Sequence, residues 1–114
     1  MSSVHTPEEA AVIRGLNDRL RTTLCGGDVM VTQGVRDLGA ELLHSAIIAL
    51  RLFSTFDADN DPHGEHDFGR LQVGGETILW KIDYYDLSLE GGSSNPADPA
   101  VTRRVLTLLL PLEW

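Results

Sequence analysis

Asp57–Asp86, DADNDPHGEHDFGRLQVGGETILWKIDYYD, decides the fold. Its Asp- and Asn-rich start favours side-chain-to-backbone turns, so Thr55–Pro62 reads as a loop. His66–Val73 then reads as a strand, Gly74-Gly75 as a two-residue hairpin turn, and Glu76–Tyr85 as the partner strand. Pairing Val73 with Glu76 sets Leu71 against Ile78 and Gly69 against Trp80. Leu71, Val73, Ile78, Trp80, Ile82 and Tyr84 then share the core face. Phe68, Arg70, Gln72, Thr77, Leu79, Lys81, Asp83 and Tyr85 share the other. The same register extends to Phe68 opposite Lys81 and His66 opposite Asp83. Asp67 falls on the core side, where it needs donors.

Upstream, Val35–Phe53 carries a helical stripe of Leu38, Leu42, Leu43, Ala46, Ile47, Leu50 and Phe53. Ile48, Ala49 and Leu52 widen it, which predicts a helix buried on much of its circumference. His44 within it reads as a partly buried or surface histidine. Asp28–Thr32 reads as a short strand after Gly26-Gly27. Thr6-Pro7-Glu8-Glu9 is a helix start with a capping box, and Pro7–Leu24 follows at helical spacing. Residues 1–5 are expected to be disordered. Downstream, Leu87–Pro99 is a polar connection. Val101–Leu110 is β-prone and ends at Pro111, which favours a strand in a central position over a helix. The expected fold is one α+β domain over 1–114, in the order α-β-α-β-β-β. Two helices pack on one face of a small antiparallel sheet.

The formal charge is -8, and its excess lies in one place. Asp57–Asp98 holds ten acids against two bases, Arg70 and Lys81, while the remainder balances. Such a field repels nucleic acid and attracts cations or basic protein surfaces, besides serving solubility. No apolar run reaches the ~20 residues of a membrane helix, and no secretory leader is evident. One cysteine fits a reducing compartment, so a cytoplasmic setting is expected. Cys25 at a helix C-terminus reads as a lone buried thiol, since the dipole there raises rather than lowers its pKa. Arg103-Arg104 reads as a basic pair salt-bridged to the acidic hairpin.

Asp57, Asp59, Asp61, His63, Glu65, His66 and Asp67 form the densest cluster of polar chemistry. The alternating Asp resembles the start of a calcium loop, but Pro62 and Phe68 occupy its Gly and Glu positions. His63, His66 and Asp67 are the alternative metal ligands, and with Glu65 they would serve a small metal-dependent hydrolase. The preferred expectation is a hydrogen-bonded network of His66, Asp67 and Asp83 that orders the hairpin end, with no cofactor.

Four blocks carry a resemblance: PHGEHDFG at Pro62–Gly69, WKIDYYD at Trp80–Asp86, NPADP at Asn95–Pro99 and TRRVLT at Thr102–Thr107. From Ile13 onward the chain resembles an uncharacterised family of short bacterial proteins, domain of unknown function 3768. The resemblance brings no activity or catalytic residue. It implies a cytoplasmic accessory protein encoded on a mobile element, and small acidic proteins in that setting resemble, in charge and size, inhibitors of host defence nucleases and their guide complexes, an analogy rather than a property of these residues. The expected function is therefore a non-enzymatic binding or inhibitory module of the anti-CRISPR kind, facing a basic protein surface. Its partner-binding residues would be Asp57, Asp59, Asp61, His63, Glu65, Phe68, Tyr85 and Asp86. Neither nucleic acid nor membrane is an expected partner, and self-association as a homodimer is the other use of an exposed aromatic patch.

Overall fold

The computed structural model describes residues 5–114, and the disorder expected for residues 1–4 lies outside them. His5 is placed, with its ring against Glu65. The chain is α+β. Helix α1 spans Pro7–Thr23 and β1 spans Asp28–Val31. A one-turn helix α2, Gln33–Arg36, precedes α3, Ala40–Leu52. Strands β2, β3 and β4 are Phe68–Val73, Glu76–Tyr85 and Arg103–Leu109, and a 3-10 turn follows at Pro111–Glu113. No helix among the described residues is long and apolar enough to cross a membrane.

The capping box forms at Thr6 and Glu9, and Leu24 ends α1 in the left-handed conformation at φ 61°. The single helix expected over Val35–Phe53 is two helices. Thr32, expected as the last strand residue, instead caps α2 by accepting from the Val35 N–H. Gly39, at φ 102°, then redirects the chain into α3. The apolar stripe runs through both helices because both address the same core, so hydrophobic spacing conceals the break. Nor is α3 buried on much of its circumference. Ala46 and Leu50 are buried, whereas His44, Ile48 and Leu52 are exposed.

The sheet order is β1-β4-β3-β2. The hairpin register is the expected one from Val73↔Glu76 to Phe68↔Lys81. Gly74 and Gly75, at φ 56° and 80°, supply the two positive φ values a type I′ turn demands. β4 is a central strand. It pairs antiparallel with β3 but parallel with β1, so the sheet is mixed rather than wholly antiparallel. Parallel pairing needs a long crossover, and the chain between β1 and β4 supplies it. The core joins Leu20 of α1, Ala46 and Leu50 of α3, the inward hairpin face, and Leu106 and Leu108 of β4. Trp80 is fully buried at its centre, edge-on to Phe53 at 5.5 Å.

Candidate functional site

The acidic loop spends two of its carboxylates on its own backbone. Asp57 accepts from the N–H groups of Asp59 and Asn60 at 2.9 and 3.0 Å, an Asx turn. Asp61 accepts from Glu65 and His66 N–H at 3.0 and 3.1 Å, and its side chain is nearly buried. Asp61, expected on the partner surface, thus forms a turn with its carboxylate directed at its own backbone. Asp59 and His63 are exposed, and neither side chain takes part in a hydrogen bond among the described residues.

His66 does not begin β2. It sits at φ 56°, in the left-handed region, where histidine is among the residues that tolerate it. A residue so placed cannot continue the ladder to Asp83. The last inter-strand bond there runs from Ile82 N–H to the Asp67 carbonyl, 2.8 Å. The His66 ring turns instead toward α1. Its Nδ1 is 2.8 Å from Asp18, its Nε2 is 3.5 Å from Asp61, and it stacks on Phe56 at 3.7 Å between centroids. Asp83 pairs with Lys81 at 2.7 Å. The expected trio of His66, Asp67 and Asp83 is thus replaced by His66, Asp18 and Asp61.

Glu65, expected on the partner surface, is buried at 2% exposure. It anchors a polar network that joins α1, the loop and the sheet. Tyr84 donates to Glu65 Oε1 at 2.9 Å, and His5 Nδ1 lies 2.7 Å from Oε2. Asn17 donates to Tyr84 Oη at 2.8 Å and to the Glu65 carbonyl at 3.0 Å. Arg104, also buried, donates to Asn17 Oδ1 at 2.9 Å and to the Pro96 carbonyl, and lies over the Tyr84 ring. Arg14 donates to the Gly64 carbonyl at 2.7 Å. Burial pushes the Tyr84 phenol far above its ordinary pKa, so it stays a donor. These groups satisfy one another, which is the condition for a buried polar cluster to stabilise a fold rather than cost it.

The pattern of the chain missed this network, although two signals point to it. Asn17 and Arg21 occupy the core-facing spacing of α1 with Ile13 and Leu20, and all four are buried. Arg104 alternates with the buried Leu106 and Leu108 on β4. The basic pair is therefore split: Arg103 bonds Asp28 at 2.8 Å, and Arg104 turns inward. Cys25 is exposed rather than buried, because Leu24 completes the helix cap before it.

The alternative metal set does not assemble. His66 is engaged by Asp18, and Glu65 by Tyr84 and His5. Among the described residues no three His, Cys, Asp or Glu side chains converge as a ligand group.

Asp67 has its carboxyl held above the usual carboxylate range, by burial first and then by Glu65. A raised folded pKa means that ionisation opposes folding. The penalty is absent below the unfolded pKa, grows as pH rises through the window up to the folded value, and is complete above it. Asp67→Asn is expected to raise the melting midpoint at pH 7, with a gain that shrinks as pH is lowered through that window. Melts across pH 4–7 test this, and a gain independent of pH would refute it.

The remaining expected contact residues form two patches. Phe68 meets Trp114 edge-on at 5.2 Å, and Lys81 lies over the Trp114 ring at 5.9 Å. Two shallow grooves flank Phe68. One, of about 480 Å³, includes Phe53, Asp57, Asp59 and Arg70. The other, of about 330 Å³, includes His63, Asp67, Asp83 and Trp114. Tyr85 lies four residues along β3 from Phe68's partner Lys81, about 13 Å away. It shares a groove with Met30, Leu89 and Arg103. Asp86 turns the chain beside it by accepting from Ser88 and the Glu90 N–H. These bonds hold its carboxyl below the ordinary range.

A family model described as a protein of unknown function, DUF3768, matches residues 31–113. The match begins after α1, the helix that supplies Arg14, Asn17, Asp18 and Arg21. No curated protein and no solved structure matches the chain.

Proposed function

The chain belongs to the DUF3768 family, whose function is unknown, and from that premise we propose that it is a non-enzymatic binding module of inhibitory type. It engages a basic surface on a protein partner. One observation carries the reading: the Phe68–Trp114 pair, on the outward face of the hairpin, is rimmed by Asp57, Asp59, His63 and Asp83, with Arg70 and the Asp83-paired Lys81 among them. Aromatic anchors surrounded by charge suit protein recognition, where the anchor is desolvated and the rim sets the rate of encounter. The buried Glu65–Tyr84–Asn17–Arg104 cluster supports the same reading from the other side. Its polar atoms are consumed by one another, which leaves it the work of holding the loop and hairpin in place. The contact residues are Asp57, Asp59, His63 and Phe68 with Trp114, and Tyr85 with Asp86 forms a secondary patch. The partner class is a bacterial defence complex carrying a basic, guide-binding surface, met in the cytoplasm and encoded apart from this accessory gene.

The test is binding to a panel of purified defence complexes, with Asp59→Lys and Asp57→Asn compared against the native chain. Asp57→Asn keeps the turn-forming oxygen, and Asp59 carries no structural bond on its side chain. The association rate at low salt is expected to fall about tenfold in Asp59→Lys, with a shallower salt dependence. Unchanged rates and an unchanged salt slope would sink the reading.

A further inference from the structure

β2 is one edge of the sheet, and the hairpin register shows which of its backbone groups face outward. Asp67 and Val73 belong to the rows that bond β3, by the Ile82-to-Asp67 bond and by the position of Val73 next to the turn. Bonding alternates along an antiparallel pair. The N–H and C=O groups of Phe68, Arg70 and Gln72 therefore point away from β3. None of them is a hydrogen-bond partner of any described residue. The other edge is protected. β1 has four residues, its Val31 carbonyl accepts from Arg36 Nε at 3.1 Å, and α2 follows at once. An unpaired row on one edge, with the opposite edge short and capped, is the arrangement that recruits an added strand.

The surroundings of β2 select what is added. The groove beside it holds Phe53 and Phe68 with Arg70 and the carboxylates of Asp57 and Asp59, so an added cation is drawn to the Asp57–Asp59 end, away from Arg70. The whole excess of -8 lies between Asp57 and Asp98. A second copy brings the same charge, and a two-fold axis through the middle of the strand sets Arg70 against Arg70. Both effects disfavour self-pairing.

We infer that β2 is the docking edge for an extended, lysine- or arginine-bearing segment of a protein partner. The segment adds to the sheet as a fifth strand, with its cations toward Asp57 and Asp59. This rests on the binding-module reading and specifies how that module holds its partner.

The experiment uses the full chain, nitrogen-15 labelled, and three end-capped peptides: alternating lysine–valine, alternating glutamate–valine, and lysine–valine with alternate amides N-methylated. Amide exchange at Arg70 and Gln72 is expected to slow about tenfold or more with the first peptide and with neither of the others. Arg70→Pro removes an outward N–H without removing a ladder bond, so binding is expected to be lost with the circular dichroism spectrum retained. Should that variant misfold, the N-methylated peptide decides alone. Equal binding of the N-methylated peptide, or binding that leaves Arg70 and Gln72 exchange unchanged, overturns the strand-addition inference while the binding-module reading stands. Absence of binding by the basic peptide overturns it as well. Exchange that slows with protein concentration in the free chain assigns the edge to a second copy and likewise overturns it. The Asp59→Lys comparison against purified complexes judges the broader reading separately.

Discussion

Arg104→Ala is expected to destabilise the protein by about 3–5 kcal/mol, the cost of two lost hydrogen bonds from a charged donor at about 1.5–3 kcal/mol each. The guanidinium bonds Asn17 Oδ1 and the Pro96 carbonyl and covers the Tyr84 ring, so truncation leaves one buried and one half-buried acceptor and an aromatic face without partners. Burial holds the Arg104 pKa below its ordinary value. A loss of that size is a large share of the about 5–15 kcal/mol that stabilises a domain. Arg104→Lys is expected to lie between, because an ammonium reaches one acceptor but lacks the planar fork that serves two. Urea unfolding followed by tryptophan fluorescence measures this, since Trp80 is fully buried and Trp114 is exposed. A change within about 0.5 kcal/mol, the range of an ordinary surface substitution, would show that the network contributes nothing.

Gly69→Ala is expected to cost about 1–3 kcal/mol or more, although alanine and glycine differ by one methyl group. A Cβ at Gly69 would collide with Trp80 Nε1, and would lie 2.7 Å from Trp80 Cε2 and 2.8 Å from Phe53 Cζ. Trp80 cannot retreat, because Phe53 and Phe56 both meet it edge-on and Arg21 lies 5.8 Å from its ring. Trp80→Phe should relieve the collision, so the double variant is expected to lose less than the sum of the two single losses. Thermal melts followed by circular dichroism give all three values. Strict additivity would mean that the two positions do not press on one another.

Gly69 also illustrates how far the sequence could be read. Its place opposite Trp80 follows from counting outward from Gly74-Gly75, and the structure keeps that register. The need for glycine there does not follow from counting, because it arises from the Trp80 indole and the Phe53 ring occupying the place a Cβ would take. His66 failed differently. Period-two alternation extended the strand through it, but the Asp61 carboxylate captures the N–H groups of Glu65 and His66 and turns the chain before the strand begins. Side-chain-to-backbone competition is local chemistry that hydrophobic spacing does not register. Glu65 reads from the sequence as a surface charge because carboxylates are seldom buried unless partnered, and the partners of its carboxylate come from residues 5 and 84.

Local rules account for what is legible in the sequence alone: the capped first helix, the hairpin with its turn and register, the α+β class and the family. Each depends on spacing, turn chemistry or motif within a few residues. Only the tertiary structure decided that β1 runs parallel to β4, that Gly39 divides the second helical stretch, that Glu65 and Arg104 are core residues, and that Trp114 lies against Phe68. These outcomes depend on which distant groups meet. A buried carboxylate is tolerated only where groups far apart in the chain, here Tyr84 and His5, converge to replace the water it gave up.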